Sequence, residues 1–276
     1  MKITFIGGGN MASALIGGLL AKGYAAADLR VVELLAEARE RLALAYAVEA
    51  VADMRAGVAG AECLVLAVKP QQLHEVAGAL APLLGQQLVI SIAAGIRTDD
   101  LSRWLGGYSN IVRVMPNTPA LVRSGISGLF AMSAVSAGGR TGAAEILSAV
   151  GAIVWLAEEQ LIDAITGVSG SGPAYVFYFI EALQQAACEL GFSEHDARTL
   201  ALGTFSGAVK LAEHDTADVA TLRARVTSKN GTTERALGVL DSAQVKSTIV
   251  AAVHAAALRS KELGEEFGKP APGPRS

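Results

Sequence analysis

The sequence predicts an α/β chain in two parts, a doubly wound and mostly parallel sheet over residues 1–160 and an all-helical part over residues 161–267. Three observations predict it. Up to about residue 156, short apolar runs alternate with segments of helical period. Some of those runs, such as Cys63-Leu64-Val65-Leu66-Ala67-Val68, are continuously apolar, which suits strands covered on both faces by helices. Beyond Glu158 strand-like runs cease, and apolar residues recur at helical spacing alone.

Taken in order, Ile3, Phe5 and Ile6 form a first strand, and Met11, Leu15 and Leu19 mark one face of the helix after it. Strands follow at residues 29–32, 48–51, 63–68, 88–92 and 111–115, with helices at 34–45, 71–83 and 98–105. Pro70 stands where a first helical residue tolerates proline. Residues 126–132 and 152–156 read as outer strands around a helix at 137–150. The second part reads as helices at 173–190, 194–213, 217–225, 232–240 and 243–266. The Gly- and Pro-rich segment 268–276 reads as a disordered tail.

With 276 residues, 51% hydrophobic and 18% charged, the chain can bury a sizeable core. A net charge of −3 and the lack of any basic run interleaved with aromatics exclude a nucleic-acid partner. Cys63 and Cys188, both on apolar segments, read as buried, reduced thiols of a cytoplasmic protein. The four histidines form no ligand cluster, so no metal is expected. The N-terminal apolar run is too short for a signal peptide, and no run approaches the roughly 20 residues of a membrane span. The helical part is rich in alanine and poor in aromatics, which predicts burial against a second subunit.

The chemistry is expected at strand ends. Gly7, Gly9 and Ala12 fit the pattern G-x-G-x-x-[GA] between a strand and a helix. The first glycine permits a tight turn, the second lets a pyrophosphate approach the backbone, and Ala12 lets the helix lie against the strand. Gly8, Asn10 and Met11 complete the turn and the helix start, so the first part reads as a Rossmann-like dinucleotide-binding domain. Glu33 ends the second strand, where a carboxylate can accept hydrogen bonds from ribose hydroxyls and repel a 2′-phosphate. Leu34 and Leu35 follow it, while Arg39 and Arg41 lie on the next helix, pointing away. NADH is therefore expected to serve at least as well as NADPH. Ala67-Val68-Lys69-Pro70, Ser91-Ile92-Ala93-Ala94-Gly95 and Met115-Pro116-Asn117-Thr118-Pro119 end three further strands with small residues and prolines that leave room for a flat ring. In the helical part, Ser228, Gly231, Thr232 and Thr233 lead into a helix, where backbone N–H groups and hydroxyls suit a small carboxylate.

The segments GGGNMA (7–12), LAVKP (66–70), SIAAGI (91–96), VRVMPNTPA (112–120), ITGVSGSGPAY (165–175) and VTSKNGTTERAL (226–237) together resemble pyrroline-5-carboxylate reductase. The resemblance runs in order along nearly the whole chain. It implies reduction of 1-pyrroline-5-carboxylate to L-proline by NADPH or NADH, the last step of proline synthesis. It also implies subunits paired through the helical domain into a dimer, and from there a decamer. Carried over, residues 7–12 hold the pyrophosphate, with Ala67, Val68, Lys69, Pro70, Ala94 and Asn117 along the rest of the coenzyme. Ser228, Gly231, Thr232 and Thr233 receive the substrate, with Thr233 as the catalytic choice. Many members have Pro-Gly where this chain has Lys229-Asn230, and Asn tolerates a left-handed backbone better than most residues. A β-hydroxyacid dehydrogenase is the rival reading, but it needs a lysine base on the second domain, and Lys210, Lys229 and Lys246 have no setting that singles one out.

Overall fold

The computed structural model describes residues 1–269, so the predicted tail lies outside the described residues apart from Gly268 and Lys269. The chain divides into two compact units, Met1–Ser171 with Ala255–Ser276, and Gly172–His254. The first unit thus extends past residue 160 and takes back the end of the last helix.

That unit runs β1 (Ile3–Ile6), α1 (Asn10–Ala21), β2 (Leu29–Val32), α2 (Ala36–Tyr46), β3 (Glu49–Val51), α3 (Met54–Val58), β4 (Cys63–Leu66) and α4 (Pro70–Leu80). It continues with β5 (Leu88–Ser91), α5 (Thr98–Trp104), β6 (Ile111–Met115), β7 (Gly125–Ala131), α6 (Ala137–Leu147), β8 (Gly151–Trp155) and α7 (Leu161–Ile165). The eight strands form one sheet in the order β3-β2-β1-β4-β5-β6-β7-β8. Every pairing is parallel except β6 with β7. β1 is central, with Phe5 opposite Val31 on one side and Val65 on the other. The strand order reverses between β1 and β4, which places the ligand crevice at their carboxyl ends.

Because successive strand side chains point to opposite faces, each strand feeds two cores. Ile3, Phe5 and Val65 pack with Leu15, Ile16 and Leu19 of α1 and Ile146 of α6. Ile6, Leu64 and Leu66 pack on the other face with Leu73, Ala77 and Leu80 of α4 and Leu101 of α5. Each fully buried Leu, Ile or Phe contributes about 1.5–3 kcal/mol relative to exposure, so this unit carries its own stabilisation. The short α3 and α7 were not predicted, since five residues are too few for a period to register. Asp53 starts α3 by accepting from the Ala56 N–H at 2.7 Å.

The second unit holds α8 (Gly172–Glu189), α9 (Glu194–His214), α10 (Val219–Arg225), α11 (Thr232–Ser242) and the start of α12 (Val245–Phe267). Side-chain caps start two of its helices: Ser193 accepts from the Asp196 N–H, and Asp218 from the N–H groups of Ala220 and Thr221. Its interior is slight. Among its described residues Ala197 and Ala201 are the buried apolar ones, whereas Phe177, Tyr178 and Leu190 are 64%, 72% and 80% exposed. Cys188 on α8 is exposed too, correcting the expectation of two buried thiols; among the described residues no side chain of that helix is fully buried. Cys63 is buried in β4, and burial pushes its thiol well above the ordinary value. No single helix among the described residues is long and apolar enough to cross a membrane.

Candidate coenzyme and substrate sites

The glycine turn sits at the carboxyl ends of the central strands. Gly7 N–H donates to the Val32 carbonyl at 2.8 Å, and Ala67 N–H to the Ile6 carbonyl at 2.8 Å, so β1, β2 and β4 converge there. Gly7 has φ +101°, and a Cβ on it would lie 2.8 Å from the Ala67 carbonyl oxygen and 3.0 Å from a Val68 methyl. Only glycine meets both demands. Gly9 is exposed, and a Cβ there would meet nothing within 4 Å, so the turn faces open space. α1 begins at Gly9 with no side-chain cap and no acidic residue in its first turn. The N–H groups of Asn10, Met11 and Ala12 therefore lack an intrahelical acceptor and aim the positive end of the helix at a ligand. Such a cradle fits a dinucleotide pyrophosphate. Ala12 is fully buried, and Met11 packs against the same core.

Glu33 reaches this turn directly. Its carboxylate accepts from Gly8 N–H at 3.0 Å and Leu35 N–H at 3.0 Å, which fixes it beside the glycines instead of in solvent. Arg39 does not point away as expected. Its guanidinium returns to donate to the carbonyls of Glu33 at 2.8 Å and Leu34 at 2.7 Å, satisfying two groups that the loop leaves open.

The other predicted strand ends are in place. Lys69 is the exposed residue before α4 and Pro70 its first residue, as predicted. Ala94 is exposed beside Gly95 on the loop after β5. Asn117 is different: only 8% exposed, its amide donates to the Ser169 carbonyl at 3.1 Å and accepts from Ile126 N–H at 2.9 Å. It pins the end of β6 to β7 and to the segment after α7.

Within the second unit, Asn230 takes φ +57°, the left-handed conformation anticipated for it. Gly231 N–H donates to the Ser228 carbonyl at 3.0 Å, and Asn230 N–H to the Glu234 carboxylate at 2.6 Å. Glu234 therefore reaches back as in a capping box, but α11 has no side-chain cap at Gly231 itself. Its first-turn N–H groups, with Thr232 exposed and Thr233 half-buried, remain suited to a carboxylate.

One cluster escaped the sequence reading. Arg113, in the middle of β6, is 3% exposed and pairs with Glu159 at 2.8 Å; Asp163 lies 4.0 Å away. The signal was present, since an arginine inside the apolar run IVRVM must find a counter-charge. The spacing could not say which one.

A doubly wound sheet with this strand order and a pyrophosphate cradle at its switch point is a dinucleotide-binding domain of the kind nicotinamide-dependent oxidoreductases use. Residues 2–95 match the family model described as NADP oxidoreductase coenzyme F420-dependent, and residues 159–263 match pyrroline-5-carboxylate reductase dimerisation. The chain is 46% identical to the pyrroline-5-carboxylate reductase of Pseudomonas aeruginosa over 97% of its own length and 98% of that protein's. Among solved structures it resembles the pyrroline-5-carboxylate reductase of Coxiella burnetii (41% identity, TM-score 0.90, covering 95% and 98% of the two chains). It also resembles the Plasmodium falciparum enzyme, solved with NADP bound (29% identity, TM-score 0.87, covering 96% and 98%). The chain belongs to the pyrroline-5-carboxylate reductase family: it is an NAD(P)H-dependent oxidoreductase that forms L-proline from 1-pyrroline-5-carboxylate, the last step of proline biosynthesis.

Proposed function

We propose how this chain's residues divide that reaction. The N–H groups of Asn10, Met11 and Ala12 bind the coenzyme pyrophosphate, Gly7 and Gly8 shape the tight turn, the open surface of Gly9 lets the pyrophosphate approach, and Ala67, Val68, Lys69, Pro70 and Ala94 line the remainder. Glu33 reads the adenosine ribose, with NADH used at least as well as NADPH. Asn117, whose amide is engaged at both ends, supports the site's floor. Ser228, Gly231, Thr232 and Thr233 bind the substrate carboxylate and ring nitrogen. The working protein is a cytoplasmic homo-oligomer, a dimer through the helical unit and from there a decamer.

The bound reduced nicotinamide supplies a hydride. A cyclic imine is basic enough to bind as the iminium, so its carbon is already electrophilic and its nitrogen already carries the proton that proline keeps. What the chain must contribute is orientation. Thr233 holds the ring nitrogen by hydrogen bonding, and the start of α11 holds the carboxylate. The observation that carries this reading is the uncapped start of α11 at Gly231, led by a left-handed Asn230 and followed by two threonines. The test follows NAD(P)H oxidation with 1-pyrroline-5-carboxylate beside a panel of 2-keto and 3-hydroxy acids, for wild type and Thr233→Ala. Turnover confined to the imine, with a higher KM and lower kcat in the variant, supports the assignment. Unaltered kinetics in Thr233→Ala remove that residue from the site.

A further inference from the structure

The buried pair Arg113–Glu159 does more than neutralise charge. Glu159 Oε1, besides meeting Arg113, accepts from the Thr98 N–H at 2.7 Å, and its Oε2 accepts from the Thr98 hydroxyl at 2.6 Å. α5 has no cap from its own preceding residue, Arg97, so a carboxylate distant in sequence takes over that task. α5 is the helix that follows the β5 loop, residues 92–97, on which Ala94 lies. The other side of that loop is held as well. Gly95 has φ +75°, and a Cβ on it would lie 3.1 Å from the Phe267 ring and 3.3 Å from Leu263, both in the last turns of α12. Arg97 sits 3.7 Å from Glu265. The same stretch of α12 is tied to α7 by Ser260, whose hydroxyl donates to Asp163 at 2.7 Å, next to Arg113. The loop is thus fixed between Glu159 on one side and the end of α12 on the other.

We propose that Glu159 is a positioning residue for the reductase reaction: through Thr98 it fixes the β5 loop so that Ala94 meets the coenzyme in a single geometry. This rests on the reading of Ala94 as a coenzyme-lining residue. A carboxylate that accepts three hydrogen bonds from two partners, one of them a buried guanidinium, holds a loop end far more tightly than a solvated cap does. The loop follows a strand and carries small residues, so it has little else with which to define its own shape.

The test uses the full chain and the variants Thr98→Val, Glu159→Gln, Glu159→Ala and Ala94→Leu. The dissociation constants of NADP+ and NADH are measured by fluorescence titration without turnover, beside KM for 1-pyrroline-5-carboxylate, kcat and the melting temperature. Glu159→Ala should weaken coenzyme binding by about tenfold, and Thr98→Val and Glu159→Gln by about threefold each, while KM for the imine stays near wild type. Should Glu159→Ala fail to fold, Thr98→Val and Glu159→Gln decide. Wild-type coenzyme affinity in both of those variants, with only the melting temperature lowered, would overturn the proposal and leave Glu159 a stability element. Ala94→Leu locates such a failure: if it weakens coenzyme binding, Glu159 alone is misassigned; if it does not, the Ala94 reading fails first.

Discussion

The two compact units differ in what they can bury. The sheet unit places Phe5, Leu15, Ile16, Leu64 and Leu66 at 1% exposure or less, whereas the helical unit leaves Phe177, Tyr178 and Leu190 more than half exposed. One half owns its core; the other presents apolar surface that a single chain does not cover. Large apolar side chains left exposed in this number are what an interface would cover. The family match over residues 159–263, described as pyrroline-5-carboxylate reductase dimerisation, spans all of that half and a short stretch on either side of it. Chemistry divides in parallel: the coenzyme cradle is built on a sheet with its own buried core, and the proposed substrate site on helices with little of one.

The largest effect that tests this contrast is in the cores. Leu66→Ala should cost about 2–5 kcal/mol, independent of protein concentration, because a cavity opens in a closed interior. A monomer would tolerate Phe177→Glu on its surface within roughly 0.5 kcal/mol. We expect instead a lowered melting temperature and a dissociated protein, read by light scattering; an unchanged assembly would remove α8 from the interface. Gly7→Ala comes next. A side chain there must hold φ +101° against the Ala67 carbonyl, so coenzyme affinity measured by titration should fall at least about tenfold while the assembly is unaffected.

Thr233→Ala is the mirror experiment in the helical half. Loss of one hydrogen bond to the reacting ring should cost on the order of 1–3 kcal/mol in kcat/KM, with the coenzyme dissociation constant unmoved. If both constants shift together, the assigned division of labour between the units is wrong. Glu33→Ser should then move preference toward NADPH, seen as a changed ratio of kcat/KM for the two coenzymes. A wild type that strongly prefers NADPH, unaltered by the substitution, would show that Glu33 serves the glycine turn alone.

The smallest effect is one of acidity. The Asp218 carboxyl lies below its ordinary 3.8, chiefly because the Thr221 backbone N–H donates to it. A lowered carboxylate contributes stability that is present above the ordinary value and is lost as pH falls through the lowered one. Helix α10 should therefore fray first below about pH 4, detectable as early hydrogen exchange in residues 219–225, while the sheet unit keeps its protection.

Much of the fold could be read from the sequence because its signals are local. Short runs rich in β-branched residues, each carrying one arginine, placed β2 and β6 at their observed bounds, and Pro70 marked the start of α4. The glycine turn was legible because strand, turn and helix are contiguous. Asn230 was legible because left-handed backbone favours few residue types. The illegible features were those set by partners far along the chain. Arg39 folds back onto carbonyls, which a helix-face reading does not anticipate. Glu159 caps α5 from 61 positions away, and no spacing rule connects it to Thr98. The return of α12 to the sheet unit likewise depends on tertiary contacts, through Ser260 and Phe267.

The most direct measurement of the central contrast is sedimentation velocity of the full chain from micromolar concentration downward, with reductase activity followed across the same dilution. The account predicts a dimer or larger species at micromolar concentration, with the helical half as its interface and activity declining as it dissociates. A fully active monomer at micromolar concentration would contradict it.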